Sequence, residues 1–160
     1  MEIDQYAYCP CGSGKKFKWC CQNIYRDIER AYAQLEQGQN EAGLRIMNEV
    51  VQAHGTNPEA WGQLAQVQLA LGSGEEAEKS LEKAFALNPN YPFGLLLQAR
   101  LRSDEGEIAG ALILARKAAE AYHPEALDYL TQVYGLIFQL ERRRNRPLAA
   151  HAALRILIRC

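Results

Sequence analysis

The chain has 160 residues, of which 48% are hydrophobic, 23% charged and 9% aromatic, with 18 Lys and Arg against 19 Asp and Glu. This composition is typical of a soluble globular protein with one domain and at most a small appendage. No segment approaches the ~18 consecutive apolar residues of a membrane helix, and the acidic start lacks a signal-peptide pattern, so we expect a cytoplasmic protein.

Cysteines mark the beginning of the chain. Four of the five fall within 13 residues: Cys9, Cys11, Cys20 and Cys21. The polar turn at residues 12–14 folds the segment back, so that the first two thiols can face the last two. Four thiolates form the tetrahedral shell that Zn²⁺ prefers, and metal binding can supply most of the folding free energy of such a small segment. We therefore predict one structural zinc ion in a knuckle over residues 1–23, the alternatives being a disulfide system or a redox switch at Cys20 and Cys21.

The knuckle also carries positive charge, which offsets the charge of −2 that zinc with four thiolates retains. The basic residues are Lys15, Lys16 and Lys18. The segment Cys9–Cys21 closely resembles the SEC-C motif, a small zinc-binding module found at the tail of the protein-export ATPase SecA. The four cysteines match its ligands, and residues 12–17 match its turn. In SecA this module contacts the export chaperone SecB and has been linked to ribosome and lipid surfaces, so the resemblance implies a docking role.

From Tyr25 onward the sequence is rich in Ala, Leu, Glu and Gln, and apolar residues recur at spacings of three and four, which predicts an all-α fold. Turn signals separate helices of roughly 14–17 residues. The predicted helices are 24–37, 40–54, 58–71, 75–87, 92–104, 107–122, 124–141 and 147–159.

A period of 34 residues runs through these helices. The pairs that carry it are Ala65/Ala99, Gly72/Gly106, Ala77/Ala111 and Ala84/Ala118. This register resembles the tetratricopeptide repeat (TPR), whose helix–turn–helix unit has that length. The resemblance implies a right-handed α-solenoid of three to four helix pairs over residues 24–160. The predicted units are 24–57, 58–91, 92–123 and 124–160. The first unit is atypical, because Gly43 and Val50 stand where the family has Ala.

The fourth unit begins like the second and then loses the register, since its first helix runs on to Glu141. We interpret residues 124–160 as a degenerate capping unit, because terminal repeats must shield the last apolar face from water. The alternative is a separate functional element. Cys160, at the end of the chain, has no predicted role.

The concave groove is the expected working surface of a TPR stack. The family's groove positions, carried onto this register, include Tyr25, Tyr32, Glu59, Gln66, Phe93 and Arg100. Such a mixed aromatic and polar surface suits an extended or helical segment of a partner protein. The alternative for Tyr25 is that it packs on the knuckle instead.

A run of arginines follows the longest helix: Arg142, Arg143, Arg144 and Arg146. Most such runs are solvated turns, and here the charge also suits a helix C-terminus. The functional alternative is a patch for an acidic partner, RNA or anionic lipid.

No motif of nucleophilic, metalloprotease or nucleotide chemistry occurs in the sequence. We therefore expect a non-enzymatic adaptor that binds a protein or peptide in the groove, uses the knuckle as a second docking surface and serves protein export or a chaperone. The alternative is a nucleic-acid or ribosome-binding protein that uses the lysines and arginines.

Overall fold

The computed structural model describes residues 3–157 of the chain, which form eight α-helices and a 3₁₀ turn at Phe17–Trp19. Among these residues the one strand-like pairing is an isolated bridge between Tyr8 and Lys16. The helices are α1 Gln22–Glu36, α2 Asn40–His54, α3 Pro58–Ala70, α4 Gly74–Leu87, α5 Pro92–Asp104, α6 Ile108–Ala121, α7 Leu127–Arg143 and α8 Pro147–Leu157. In the described part of the chain, no helix has the length and apolar character needed to span a bilayer.

The eight predicted helices are all present, with bounds that differ by three residues at most. The largest difference is at α7, which was predicted to begin at residue 124 and begins at Leu127, because a turn that starts at His123 precedes it. The carbonyl of His123 accepts the N–H of Ala126 at 2.8 Å, and its Nδ1 accepts the N–H of Glu125 at 3.2 Å. The predicted end of α8 at residue 159 lies outside the described residues, as does Cys160.

The first helix of three successive pairs ends in the same turn. Gly38, Gly72 and Gly106 have φ angles of 75°, 78° and 84°, a left-handed conformation that glycine adopts at little cost. In each case the next residue donates its N–H to a carbonyl five positions back, at 2.8–2.9 Å. α7 ends in the same way, with Asn145 at a φ of 55°. The 34-residue period of these glycines therefore corresponds to a repeated Schellman-type helix end. The fourth pair keeps this type of helix end, with asparagine in place of glycine, although it does not keep the spacing.

Small residues at the repeated positions seat the second helix of each pair against the first. The alanines at these repeated positions are all completely buried: Ala31, Ala65, Ala77, Ala84, Ala99, Ala111 and Ala118. Gly43 replaces alanine in the first pair, and a Cβ atom there would lie 2.7 Å from Cγ of Leu35 and 3.0 Å from the carbonyl oxygen of Ala31. The first pair is thus closer-packed at this point than a methyl group allows.

The chain divides into two compact units, with the boundary between Pro89 and Asn90. In the first unit, α1 packs against α2 and the 3₁₀ turn, α2 packs against α3, and α3 packs against α4. In the second unit, α5 packs against α6, α6 against α7, and α7 against α8. Each unit holds two helix pairs, and the fold is an all-α, TPR-like solenoid. The knuckle lies in the same unit as α1–α4.

Candidate metal centre and partner surfaces

The knuckle folds through a short hairpin-like loop that brings two pairs of cysteines together. Gly12 and Gly14 have positive φ angles of 75° and 71°, and the N–H of Cys9 donates to the carbonyl of Lys15 at 2.8 Å across the loop. The 3₁₀ turn follows, where the N–H of Cys20 donates to the carbonyl of Phe17 at 3.0 Å. Local backbone geometry therefore delivers all four thiols to one point.

The four sulfur atoms lie within 4.8 Å of one another. The Sγ of Cys11 is 3.4 Å from that of Cys9 and 3.5 Å from that of Cys20, and the Cys20 and Cys21 sulfurs are 3.8 Å apart. Four sulfurs bound tetrahedrally to zinc at about 2.3 Å are about 3.8 Å apart. All four cysteines are free thiols, not disulfides, and all except half-buried Cys20 are buried. The donor set, spacing and burial fit a closed structural zinc site.

The pKa values of three of the thiols depart from the ordinary value, one downwards and two upwards. Hydrogen bonds with Cys21 and then with Cys9 hold the pKa of Cys11 far below its ordinary value. The pKa values of Cys9 and Cys21 are raised, chiefly by the hydrogen bonds with Cys11 and also by burial. Negative charge on Cys11 is therefore stabilised by its neighbours, and metal binding requires such deprotonated sulfur.

Two polar side chains approach the cluster from outside. Ser13 Oγ lies 3.2 Å from the Sγ of Cys20, and Asn57 Nδ2 donates to the Sγ of Cys21 at 3.3 Å. Ser13 belongs to the knuckle itself, whereas Asn57 immediately precedes α3. Asn57 was not among the residues predicted for a site; its one signal in the sequence was the turn dipeptide that it forms with Pro58 at the start of a helix.

Two of the three lysines of the knuckle lie near its aromatic side chains. Lys16 Nζ sits 3.5 Å above the ring of Tyr8. Lys18 Nζ is 3.5 Å from the hydroxyl of Tyr6 and 5.9 Å from the ring of Trp19. Lys15 is exposed. The knuckle therefore presents a mixed basic and aromatic surface.

Two of the residues expected in the groove are buried in the first unit. Tyr25 packs edge-on against Phe17, with ring centroids 5.0 Å apart, so it packs on the knuckle. Its hydroxyl donates to Glu59 Oε1 at 2.6 Å, and Gln63 Nε2 donates to the same oxygen at 2.9 Å. Glu59 is 0% exposed. This burial corrects the expectation that Tyr25 and Glu59 lie on a surface open to a partner.

Tyr32 continues this network, because its hydroxyl donates to Gln63 Oε1 at 3.0 Å. Burial and the nearby charge of Glu59 raise the pKa of Tyr32 above its ordinary value. Tyr32 is half-buried, as is Gln66 one turn beyond on α3. These two residues therefore remain available on the first unit.

In the second unit, Phe93 is buried with its ring centroid 6.4 Å from that of Tyr91, which corrects the expectation that it lies on an open groove surface. Arg100 lines an open cleft of about 360 Å³ between α5 and α7, where its Nη2 lies 3.5 Å from Gln132 Oε1. The cleft also includes Gly135, and a Cβ atom added to Gly135 would have no neighbour within 4 Å. Arg100 is the predicted groove residue that the structure places on an open surface of this unit.

The arginine run is not one uniform patch. Arg143 donates from Nη1 to the carbonyl oxygen and to Oγ of Ser103, at 3.0 and 2.9 Å. Arg142 lies with Cζ 5.8 Å from the centroid of the Phe138 ring. Arg144 and Arg146 are exposed. At least one of the four predicted patch residues therefore fastens α7 to α5.

A larger cleft of about 930 Å³ lies between the knuckle and α1. Phe17 and Lys18 line it from the knuckle, and Gln22, Arg26 and Glu29 line it from α1. This cleft was not predicted from the sequence, because it depends on how the knuckle is set against a helix.

A family model described as tetratricopeptide repeat matches residues 34–101. The match covers the α2–α4 segment and most of α5, which supports the repeat register, and it does not extend over the knuckle. No curated protein matches the chain.

Solved structures with this fold are similar over most of the chain at low sequence identity. The Yersinia enterocolitica type III secretion chaperone SycD, in complex with a peptide of the translocator YopD, is 17% identical with a TM-score of 0.60, covering 76% of this chain and 95% of that one. The Sgt2 TPR domain from Aspergillus fumigatus is 16% identical, TM-score 0.62, covering 80% and 83%. MamA is 14% identical, TM-score 0.61, covering 86% and 77%.

Proposed function

We propose that this protein is a non-enzymatic, zinc-binding adaptor that holds a protein or peptide partner on its helical repeats and uses the knuckle as a second docking surface. The observation that carries the proposal is the cleft of about 930 Å³ between the knuckle and α1. Because the knuckle forms one wall and a repeat helix the other, the two elements can contact a single partner. Two weak contacts on one chain strengthen each other through effective concentration.

The zinc ion has a structural role in this proposal. The four cysteines would occupy every ligand position, whereas a catalytic zinc keeps one position open for water. When bound, the ion cross-links residues on both sides of the knuckle loop. It thereby fixes the wall of the cleft that carries Phe17 and Lys18.

The partner class is supported by the second unit as well. The open cleft between α5 and α7 has polar walls, with Arg100 placed to pair with an acidic group or a main-chain carbonyl of a peptide. TPR-like folds include SycD, whose solved structure holds a translocator peptide. We therefore also propose that the protein acts in the cytoplasm, in protein export or in chaperone function.

Metal analysis tests the first half of the proposal. We expect one zinc per chain in freshly purified, reduced protein, and loss of that zinc in Cys11→Ser. Cys160→Ser is the matched control, because it removes the one cysteine that is not among the four predicted ligands and should retain the metal. Wild-type protein that takes up no zinc would contradict the metal centre.

Affinity capture with purified variants tests the second half. Zinc-loaded wild type should recover a stoichiometric protein partner. Recovery should fall with Arg26→Ala, which alters the cleft beside the knuckle, or with Arg100→Ala, which alters the cleft between α5 and α7. Leu148→Ala is the control, since Leu148 is an exposed apolar side chain on α8. Recovery of no stoichiometric partner, with or without zinc, would argue against an adaptor.

A second candidate function is binding of single-stranded RNA or ribosomal RNA. The observation that favours it is that Tyr6 and Trp19 are 51% and 66% exposed, with ring centroids 6.1 Å apart and Lys18 beside both. Bases stack on such rings, and lysines neutralise phosphates. RNA binding of this kind weakens steeply with salt. The test is quenching of tryptophan fluorescence by oligouridylate at several salt concentrations. No quenching, or quenching that does not depend on salt, would exclude RNA binding.

A further inference from the structure

We propose that Asn57 is an outer-sphere hydrogen-bond donor to the metal centre and that it couples metal loading of the knuckle to the start of α3. This inference rests on the zinc site proposed above. Asn57 lies 36 positions from Cys21 in the sequence, yet its Nδ2 donates to the Sγ of Cys21 at 3.3 Å. The contact joins a cysteine of the knuckle to the second helix pair.

The orientation of the Asn57 amide is fixed from both sides. Its Oδ1 accepts the N–H of Glu59 at 3.0 Å and so caps the first turn of α3. Since one end of the amide must present oxygen to that N–H, the other end must present N–H groups to the sulfur. The same side chain therefore serves the helix and the metal ligand at once.

Cys21 needs such a donor more than the other ligands do. Its residue is 0% exposed, so solvent does not reach its sulfur to donate a hydrogen bond. A hydrogen bond to a buried thiolate disperses its negative charge. Outer-sphere partners of this kind are typically worth about 10–100-fold in metal affinity.

The contact has a consequence for the repeats. Asn57 also fixes the position of Glu59, which accepts hydrogen bonds from Tyr25 and Gln63, and Gln63 in turn accepts one from Tyr32. Metal that holds Cys21 in place thus supports a continuous set of hydrogen bonds through α3 to α1. By linkage, whatever stabilises this set also raises the affinity for metal.

Substitutions at one position separate the two roles of Asn57. Asn57→Ser retains a neutral capping oxygen, but its side chain is too short to reach the sulfur. Asn57→Asp retains the cap and directs a carboxylate at the thiolate. Asn57→Ala loses both the cap and the hydrogen bond to the sulfur. Ser13→Ala is the matched control, because it removes a hydrogen-bond partner of Cys20 that belongs to the knuckle itself and not to α3.

Zinc affinity is measured in the full chain by competition with a chromophoric chelator, and the ligand field by the thiolate-to-metal charge-transfer band of the Co²⁺-loaded protein. We expect affinity to fall about tenfold in Asn57→Ser and further in Asn57→Asp, with a shifted charge-transfer band in both. The thermal stability of metal-free protein should stay at the wild-type level in Asn57→Ser and fall only in Asn57→Ala. The stabilisation gained on adding zinc should shrink in all three variants.

The outcomes are distinguishable. Wild-type affinity and an unchanged Co²⁺ spectrum in Asn57→Ser would overturn the inference while leaving the metal centre intact. Zinc-dependent protection of the α3 amides from hydrogen exchange that is as large in Asn57→Ser as in the wild type would overturn the coupling to α3. Wild-type protein that binds no zinc or Co²⁺ would overturn both the inference and the proposed site.

Discussion

Removal of the Tyr25 hydroxyl is the sharpest test of the buried network in the first unit. Tyr25→Phe keeps the ring and its edge-on packing against Phe17, with ring centroids 5.0 Å apart. It deletes the 2.6 Å hydrogen bond that Tyr25 donates to Glu59 Oε1. Because Glu59 is 0% exposed, no solvent replaces the lost donor.

The expected cost follows from the chemistry of the two partners. A hydrogen bond to a charged group contributes about 1.5–3 kcal/mol, whereas one between neutral groups contributes about 0.5–1.5 kcal/mol. Glu59 Oε1 keeps the bond from Gln63 at 2.9 Å, so we expect Tyr25→Phe to lower the free energy of unfolding by about 2 kcal/mol. Tyr32→Phe is the control, since it deletes a neutral bond to Gln63 Oε1 at a half-buried position, and should cost about 1 kcal/mol.

Tryptophan fluorescence in urea is the assay, because both tryptophans of the chain, Trp19 and Trp61, lie in the first unit. The zinc concentration is held constant, since a bound metal shifts the apparent stability. The slope of the transition should not change, so the difference appears in the midpoint. A Tyr25→Phe variant as stable as the wild type, or one that loses less than Tyr32→Phe, would refute a charged, desolvated Glu59.

Three further predictions concern a turn, a titration and a charge. Gly72→Ala should cost about 1–2 kcal/mol because it forces a side chain into the left-handed region, as measured by thermal unfolding. Above pH ~10, the free energy of unfolding of the wild type should fall more steeply than that of Tyr32→Phe. The reason is that the pKa of Tyr32 is raised in the folded protein, so Tyr32 loses its proton first in the unfolded state. Arg143→Gln should destabilise the protein by about 1 kcal/mol, as followed by circular dichroism during urea unfolding.

Each of these has a matched control. Gly74→Ala should be neutral or stabilising by up to ~1 kcal/mol, because Gly74 has no positive φ and a Cβ atom added to it would have no neighbour within 4 Å. Below pH ~9 the stability curves of the wild type and Tyr32→Phe should run parallel. Arg144→Gln removes the same charge from an exposed side chain and should change stability by less than about 0.5 kcal/mol. Equal effects of Arg143→Gln and Arg144→Gln would contradict a bridging role for Arg143.

Several features of the fold could be predicted because they depend on residues close together in the chain. Helix positions follow from apolar spacing and from the turn residues between helices. The 34-residue period of Gly38, Gly72 and Gly106 corresponds to repeated left-handed helix ends. The cysteine cluster was predictable for the same reason, since Cys9 and Cys21 are only 12 positions apart and a glycine turn lies between them.

The exposure of the residues expected to face a partner was predicted less well. Glu59 was expected on the surface because it occupies a groove position of the TPR register, and glutamate is seldom buried unless it is paired. Its burial depends on a tyrosine 34 positions earlier that donates a 2.6 Å hydrogen bond. Arg143 was predicted as part of a basic patch, yet it reaches Ser103, 40 positions away. Neither pairing has a local signature.

By itself, the sequence determined the all-α repeat and the spacing of four thiols, since both arise from short-range periodicity and turn chemistry. Only the tertiary structure decided which polar residues are enclosed, because enclosure depends on helices that are distant in the chain packing side by side. Asn57 unites the two levels. Its place before a helix is a local signal, whereas its hydrogen bond to Cys21 exists only because the knuckle and α3 are held in the same compact unit.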